Sequence, residues 1–303
     1  MGMEPAATAS RTKLREVPMR AVCLFAICVF SAAITLPSAF AAENWQKSYS
    51  VSGKPSLTIG TGDASTEVQP CAGCREVKIR VQWNDRRPED YNITESQSGD
   101  RVNFELKEKQ HFHVSFGNRH EPHVMVETPK EMDLEARTSD GGLKVSGIEG
   151  SVSLHTSDGS VEIADVSGAI KLVASDGSIK MHNVTGTLES RSSDGNVTID
   201  GKLSGVQVHT SDGSLDLTLA EGSQLTTASR VEASDGNVKI RLPKTLAADL
   251  DMHTGDGHLD CQLPLTMNGY DSGGGHNIRG KLNAGGTALT IHTNDGNVTI
   301  GAL

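Results

Sequence analysis

Aromatic side chains all but vanish after residue 116: Trp45, Tyr49, Trp83, Tyr91, Phe104, Phe112 and Phe116 precede Gly117, and only Tyr270 follows. The two parts of the chain must therefore build their interiors differently. Positive charge is also scarce. With residues 1–41 set aside, 24 Lys and Arg face 36 Asp and Glu, a net charge near −12. That balance argues against nucleic acid and against anionic membrane surfaces as partners. No apolar run after Leu36 is long enough to cross a bilayer as a helix. No nucleophile elbow, paired carboxylate or phosphate-binding loop stands out, so no catalytic residue and no cofactor is assigned. Cysteine is sparse, and Cys71 and Cys74 lack the second pair that a four-thiolate zinc site requires.

What the N-terminus does contain reads as a leader. Arg11, Lys13, Arg15 and Arg20 precede an apolar run of 16 residues, Ala21 to Leu36, followed by Pro37 and Ala39-Phe40-Ala41. Basic flank, short apolar run and small-x-small site read as a secretory signal over 1–41. The run is shorter than the roughly 20 residues of a spanning helix, although a retained anchor is the alternative. Cys23 and Cys28 read as apolar filler within it. The mature chain is expected in the periplasm, on the cell surface or secreted.

The rest is dominated by a repeat. Asp-Gly pairs stand at Asp140, Asp158, Asp176, Asp194 and Asp212, four successive intervals of 18 residues, and again at Asp235, Asp256 and Asp295. The intervals of 23 and 21 read as coils with small insertions. The interval of 39 reads as two coils whose middle turn is the degenerate Ser272-Gly273-Gly274-Gly275. Side chains two apart share one strand face, so apolar columns can be read outward from each Asp. Three positions on stand Leu143, Val161, Ile179, Val197, Leu215, Val238, Leu259 and Val298; five on stand Val145, Ile163, Met181, Ile199, Leu217, Ile240, Cys261 and Ile300. Four positions before stand Ala136, Leu154, Leu172, Ser190, Val208, Val231, Met252 and Ile291. Those columns face inward; Glu162, Lys180, Thr198 and Asp216 between them face water.

A second turn recurs half a repeat later at Gly150, Gly168 and Gly186, with Gly205 slipped by one. Each unit thus holds two short strands and two turns, with no room for a crossover helix. One unit repeated in one direction places each strand on its counterpart, which makes an all-β parallel β-solenoid with 18-residue coils over 129–303. Glycine supplies φ > 0 at the turns, and Asp can hydrogen-bond its own turn. The aromatic stretch 42–128 is expected to form an N-terminal β cap or the first part of the same sheet.

The sequence also resembles a family. Y-S-V-S-G-K-P-S-L-T-I-G-T-G at 49–62, V-M-V-E-T-P at 124–129, the serial S-D-G-x-[VIL] turns and A-L-T-I-H-T-N-D-G-N-V-T-I at 288–300 are similar to bacterial adhesin-like domains of unknown function. The resemblance implies a right-handed solenoid on an envelope or secreted protein.

Several residues could carry chemistry. Asp158, Asp176, Asp194 and Asp212 would form a carboxylate ladder with about 0.8 kcal/mol repulsion per neighbour in water, which calcium could relieve. Calcium needs about six to eight oxygens, however, and one Asp per coil supplies too few. These residues are therefore expected to stabilise turns. His155, His209, His253 and His292 share the position three before the turn Asp and read as outward-facing, with His155 and His209 too far apart to share one ion. His111 and His113 would share a strand face and, with His120 and His123, suggest zinc or copper against a bland polar surface. Cys71 and Cys74 are expected to form a local disulfide in an oxidising compartment. Cys261 reads as a buried hydrophobe. The expected function is a non-catalytic exported scaffold that binds a surface glycan or an envelope protein. A polysaccharide lyase or hydrolase and a calcium-binding module are the alternatives.

Overall fold

Alternating apolar and polar residues, with turns every eight to ten positions, leave the backbone little choice but short strands. The computed structural model describes residues 44–109, 120–270 and 276–303, in which one short 3-10 turn, Pro88–Asp90, interrupts an otherwise all-β chain. The leader read at 1–41, the pair His111 and His113, and the turn at 272–275 lie outside the described residues.

The N-terminal part forms β1 (Trp45–Ser50), β2 (Ser56–Gly60), β3 (Ser65–Pro70), β4 (Glu76–Gln82), β5 (Tyr91–Ser98), β6 (Arg101–Glu108) and β7 (His123–Thr128). The repeats form β8 (Asp133–Arg137), β9 (Leu143–Ser146), β10 (Glu149–Thr156), β11 (Val161–Ala164), β12 (Ser167–Asp176), β13 (Ile179–Asp194), β14 (Val197–Thr210) and β15 (Leu215–Leu219). Then follow β16 (Ser229–Ala233), β17 (Val238–Leu242), β18 (Ala248–Thr254), β19 (Leu259–Cys261), β20 (Leu265–Tyr270), β21 (Asn277–Leu282), β22 (Ala288–Thr293) and β23 (Val298–Ala302).

The strands stack into two walls. One wall runs β5, β6, β2, β8, β10, β12, β13, β14, β16, β22, β18, β21, β20. The other runs β1, β4, β7, β3, β9, β11, β13, β14, β15, β17, β23, β19. Long β13 and β14 bend from one wall into the other, which makes a nearly closed, barrel-like sheet. In its middle the parallel partners step along the repeat, Leu143 to Val161 to Ile179 to Val197 to Leu215. The slipped Gly205 appears as a bulge: Gly186 faces Leu203 whereas Thr187 faces Gly205.

The inward columns form one continuous core of Val, Ile and Leu. Burying each such side chain contributes about 1.5–3 kcal/mol, and no single coil could do it alone.

Two expectations are corrected at the ends of the stack. Coil order does not follow chain order. β22 pairs with β16 on one side and β18 on the other, and β23 lies between β17 and β19. The last coil is thus inserted inside the stack, and the 39-residue interval contains the antiparallel pair β20–β21 instead of a middle coil. The N-terminal end repeats the device: β2 lies between β6 and β8, β3 between β7 and β9, and antiparallel β5, β4 and β1 close the outside. Second, Cys261 faces the expected column, opposite Ile300, yet is only half-buried, β19 having among the described strands a neighbour on one side alone. The same end position leaves Leu259 partly exposed.

Candidate binding face

The turn edge is built by close backbone approach. A Cβ on Gly159 would meet the Gly141 carbonyl oxygen at 2.1 Å, one on Gly177 that of Gly159 at 2.2 Å, and one on Gly236 that of Gly213 at 2.0 Å. The ladder then passes through Gly296 to Gly257, repeating the inserted order. Among these Asp-Gly glycines only Gly195 has a left-handed φ, 136°. The expectation that φ > 0 demands glycine there is therefore corrected: a neighbouring coil leaves no room for a side chain. At the second turn φ does matter, with Gly168 at 132° and Gly186 at 120°.

The hydrogen bond closing the Asp-Gly turn comes from a residue the sequence reading passed over. Thr156 Oγ1 accepts from the Gly159 N–H at 3.1 Å and donates to Ser139 O of the preceding coil at 3.3 Å. Thr254 and Thr293 repeat the arrangement, their Oγ1 atoms accepting from Gly257 at 3.0 Å and Gly296 at 3.2 Å. A threonine two before the Asp at Thr156, Thr254 and Thr293 is the visible signal; at the same place Thr138 Oγ1 donates to Gly62 O instead, and Thr210 Oγ1 has no partner among the described residues.

Asp158, Asp176, Asp194 and Asp212 are exposed on this edge, one per coil, with Asp176 directly beside Asp194. Asp63 extends the line beside Asp140. Desolvation, then the Asp140 and Glu121 carboxylates, raise the Asp63 carboxyl above its ordinary range against the pull of Arg86. Among the described residues no group of three or more His, Cys, Asp or Glu stands close enough to hold a metal ion.

The first wall presents an outward row Arg137, His155, Val173, Arg191, His209, Glu232, His292, His253 and Asn277. Beside it, Lys171 pairs with Glu189 at 3.3 Å and Arg230 with Glu232 at 2.6 Å. A cleft of about 290 Å³ opens there between Glu189, Arg191, Gln207, His209 and Arg230. A larger groove of about 530 Å³ lies nearer β6, where Gly60 offers no side chain between Asn103, Glu105, Arg137 and His155. The second wall alternates sign along Glu67, Lys144, Glu162 and Lys180, with a groove of about 440 Å³. Opposite charges directly across strands stabilise such a row. Both walls are thus polar, ridged and charged in both senses.

The remaining candidates are separate from these rows. Cys71 and Cys74 are joined by a disulfide, their Cα atoms 5.8 Å apart, in the loop from β3 to β4. His120 Nδ1 lies 2.8 Å from Asp85, and His123 sits 2.8 Å from the Ser65 hydroxyl and 3.6 Å from Glu67, so these two histidines have different partners. The aromatics gather at the N-terminal end, with Trp83 against Tyr91 and Trp45 against Phe104. Burial pushes the Tyr91 phenol up to about 12. No described helix is long and apolar enough to cross a membrane.

Stacked polar ridges on an aliphatic core define an all-β, solenoid-like protein. The chain belongs to the Toastrack DUF4097 family, whose model matches residues 56–301, and the family is one of unknown function. Solved structures similar to it include a candidate adhesin from Parabacteroides merdae ATCC 43184, 13% identical over 86% of this chain and 96% of that one, TM-score 0.46. Another from Bacteroides fragilis NCTC 9343 is 10% identical over 85% and 97%, TM-score 0.36. A candidate lipid-binding protein from Parabacteroides distasonis ATCC 8503 is 11% identical over 85% and 96%, TM-score 0.35. A comparison with curated proteins finds no match.

Proposed function

We propose that this chain is an exported, non-catalytic scaffold whose outer walls bind a surface glycan or another envelope protein, as an adhesin does. The finer architecture in this reading is a right-handed wind of 18-residue coils. One observation carries the proposal: the outward rows continue in register from Arg137 to His253 across eight neighbouring strands. Such a surface suits an extended partner that meets many shallow polar contacts, whereas catalysis needs acid and base groups converging on one bond. The mixed signs of the rows fit a neutral or mixed-charge partner better than a polyanion.

The test is capture of partners from bacterial envelope extract on the full mature chain, with binding then measured for Arg191→Ala with Arg230→Ala. Both side chains are more than half exposed, so folding should be unaffected. Saturable binding that the double variant weakens at least tenfold supports the reading. Turnover of a polysaccharide by the purified chain, or binding indifferent to both walls, overturns it.

A further inference from the structure

Inserting the last coil brings together two histidines that are 39 positions apart in sequence. His253 on β18 and His292 on β22 are register partners on the outer face. Their imidazoles lie side by side, ring centroids 5.0 Å apart and planes within 4° of parallel. His253 Nδ1 is 2.6 Å from Asn277 Oδ1 on β21. An amide oxygen can only accept, so Nδ1 carries the proton and Nε2 keeps its lone pair. That is the arrangement in which a ligating histidine is held by a partner on its other nitrogen.

We propose that His253 and His292 form a two-imidazole site for one divalent transition-metal ion, with copper(II) the tightest and water completing the coordination. Imidazole nitrogen suits copper, nickel and zinc, and copper(II) heads the affinity order. Parallel rings cannot aim both lone pairs at one ion, so one ring turns about its Cβ–Cγ bond. Among the described residues no hydrogen bond holds the His292 ring, and this histidine torsion is soft. Glu232, its other neighbour, is engaged by Arg230 and His209 and is not needed as a ligand. The bound ion would clip the inserted coil to the coil outside it, coupling metal binding to the stability of the C-terminal end. This site is independent of the adhesin reading.

The test is titration of the full mature chain with copper(II), read by electron paramagnetic resonance. The expected signal is one equivalent with hyperfine splitting from two imidazole nitrogens. Both histidines are half-buried and face outward, so His253→Gln and His292→Gln should fold. Each should weaken binding at least tenfold and abolish the two-nitrogen signal. Asn277→Leu should weaken binding about tenfold, with Asn277→Asp restoring it. His155→Gln, on the same row but without a histidine neighbour, should change nothing. A two-nitrogen signal that survives the double Gln variant places the copper elsewhere, for instance on His111 and His113, and overturns the proposal. So does the absence of saturable binding to the wild-type chain, a result that depends on no variant's folding.

Discussion

The middle of the stack and its two ends are built from the same kind of coil yet assembled by different rules. From β8 to β15 the next coil in sequence is the next coil in space. At both ends a coil from one chain extremity is placed inside and a later or earlier segment is wrapped outside it. Equal inner surfaces explain why this is allowed: each coil presents similar aliphatic columns, so any coil can stack on any other. The benefit is at the edges. A parallel stack left open would offer unpaired strand groups to other chains, whereas here antiparallel β5, β1 and β20 and the three-residue β19 stand outermost.

The largest expected effect comes from breaking the inserted order. A variant ending at Gly286 loses Leu289, Ile291, Val298 and Ile300, all fully or almost fully buried. At about 1.5–3 kcal/mol each, their loss approaches the whole stability of a typical domain. Hydrogen exchange should show β16 to β19 unprotected. A melting curve like the wild type's would mean that β18 had simply moved onto β16, as sequential stacking allows. By contrast, removing the middle unit Ser157 to Ala174 joins two coils that match, and should melt cooperatively and close to wild type. Removing only Ser157 to Asp165 should misalign every turn beyond it. Equal damage from both deletions would show that even the middle is not a simple stack.

How much was legible follows from what periodicity reports. The inward columns, both turn ladders and the slip at Gly205 are local, because a period of two and a repeated glycine reveal which face looks inward. Which coil lies beside which is not local. The columns of Val298 and Val238 look alike, and nothing in either segment says that they touch. The half-burial of Cys261 is not local either: its register is inward, but burial depends on whether a second strand follows. The pairing of His253 with His292 was invisible until the order was known. The turn threonine is legible at Thr156, Thr254 and Thr293, two places before a more conspicuous charged residue.

Intermediate effects test the turn chemistry. Gly177→Ala places a methyl 2.2 Å from the Gly159 oxygen and should cost about 1–3 kcal/mol through forced backbone shifts. Gly142→Ala, whose new Cβ would be 3.6 Å from the Ser160 oxygen, should be nearly neutral. Comparable losses from the two would mean that chain flexibility, rather than the approach of the next coil, selects glycine. Thr156→Val removes the hydroxyl that joins two coils and should cost about 1–2 kcal/mol by urea unfolding, since the Gly159 N–H is left without its acceptor.

The smallest effect is expected where the sequence is most conspicuous, at the aspartates. Their carboxylates are exposed and repeat at the strand spacing, so each neighbour contributes under about 1 kcal/mol of repulsion in water. Replacing Asp158, Asp176 and Asp194 together by Asn keeps the shape and removes the charge, while Thr156 still accepts from Gly159 in the turn at Asp158. Stability should hold or rise slightly, more so at low salt, where repulsion is least screened. If calcium instead bridged the row, chelator would lower the wild-type melting temperature and the triple variant would lose that response. A melting temperature that climbs with calcium only in the wild type would make the turn edge, and not the walls, the functional surface. A flat response in both would leave the aspartates as solvent-facing punctuation, set by the polar exterior of a turn that glycine packing already determines.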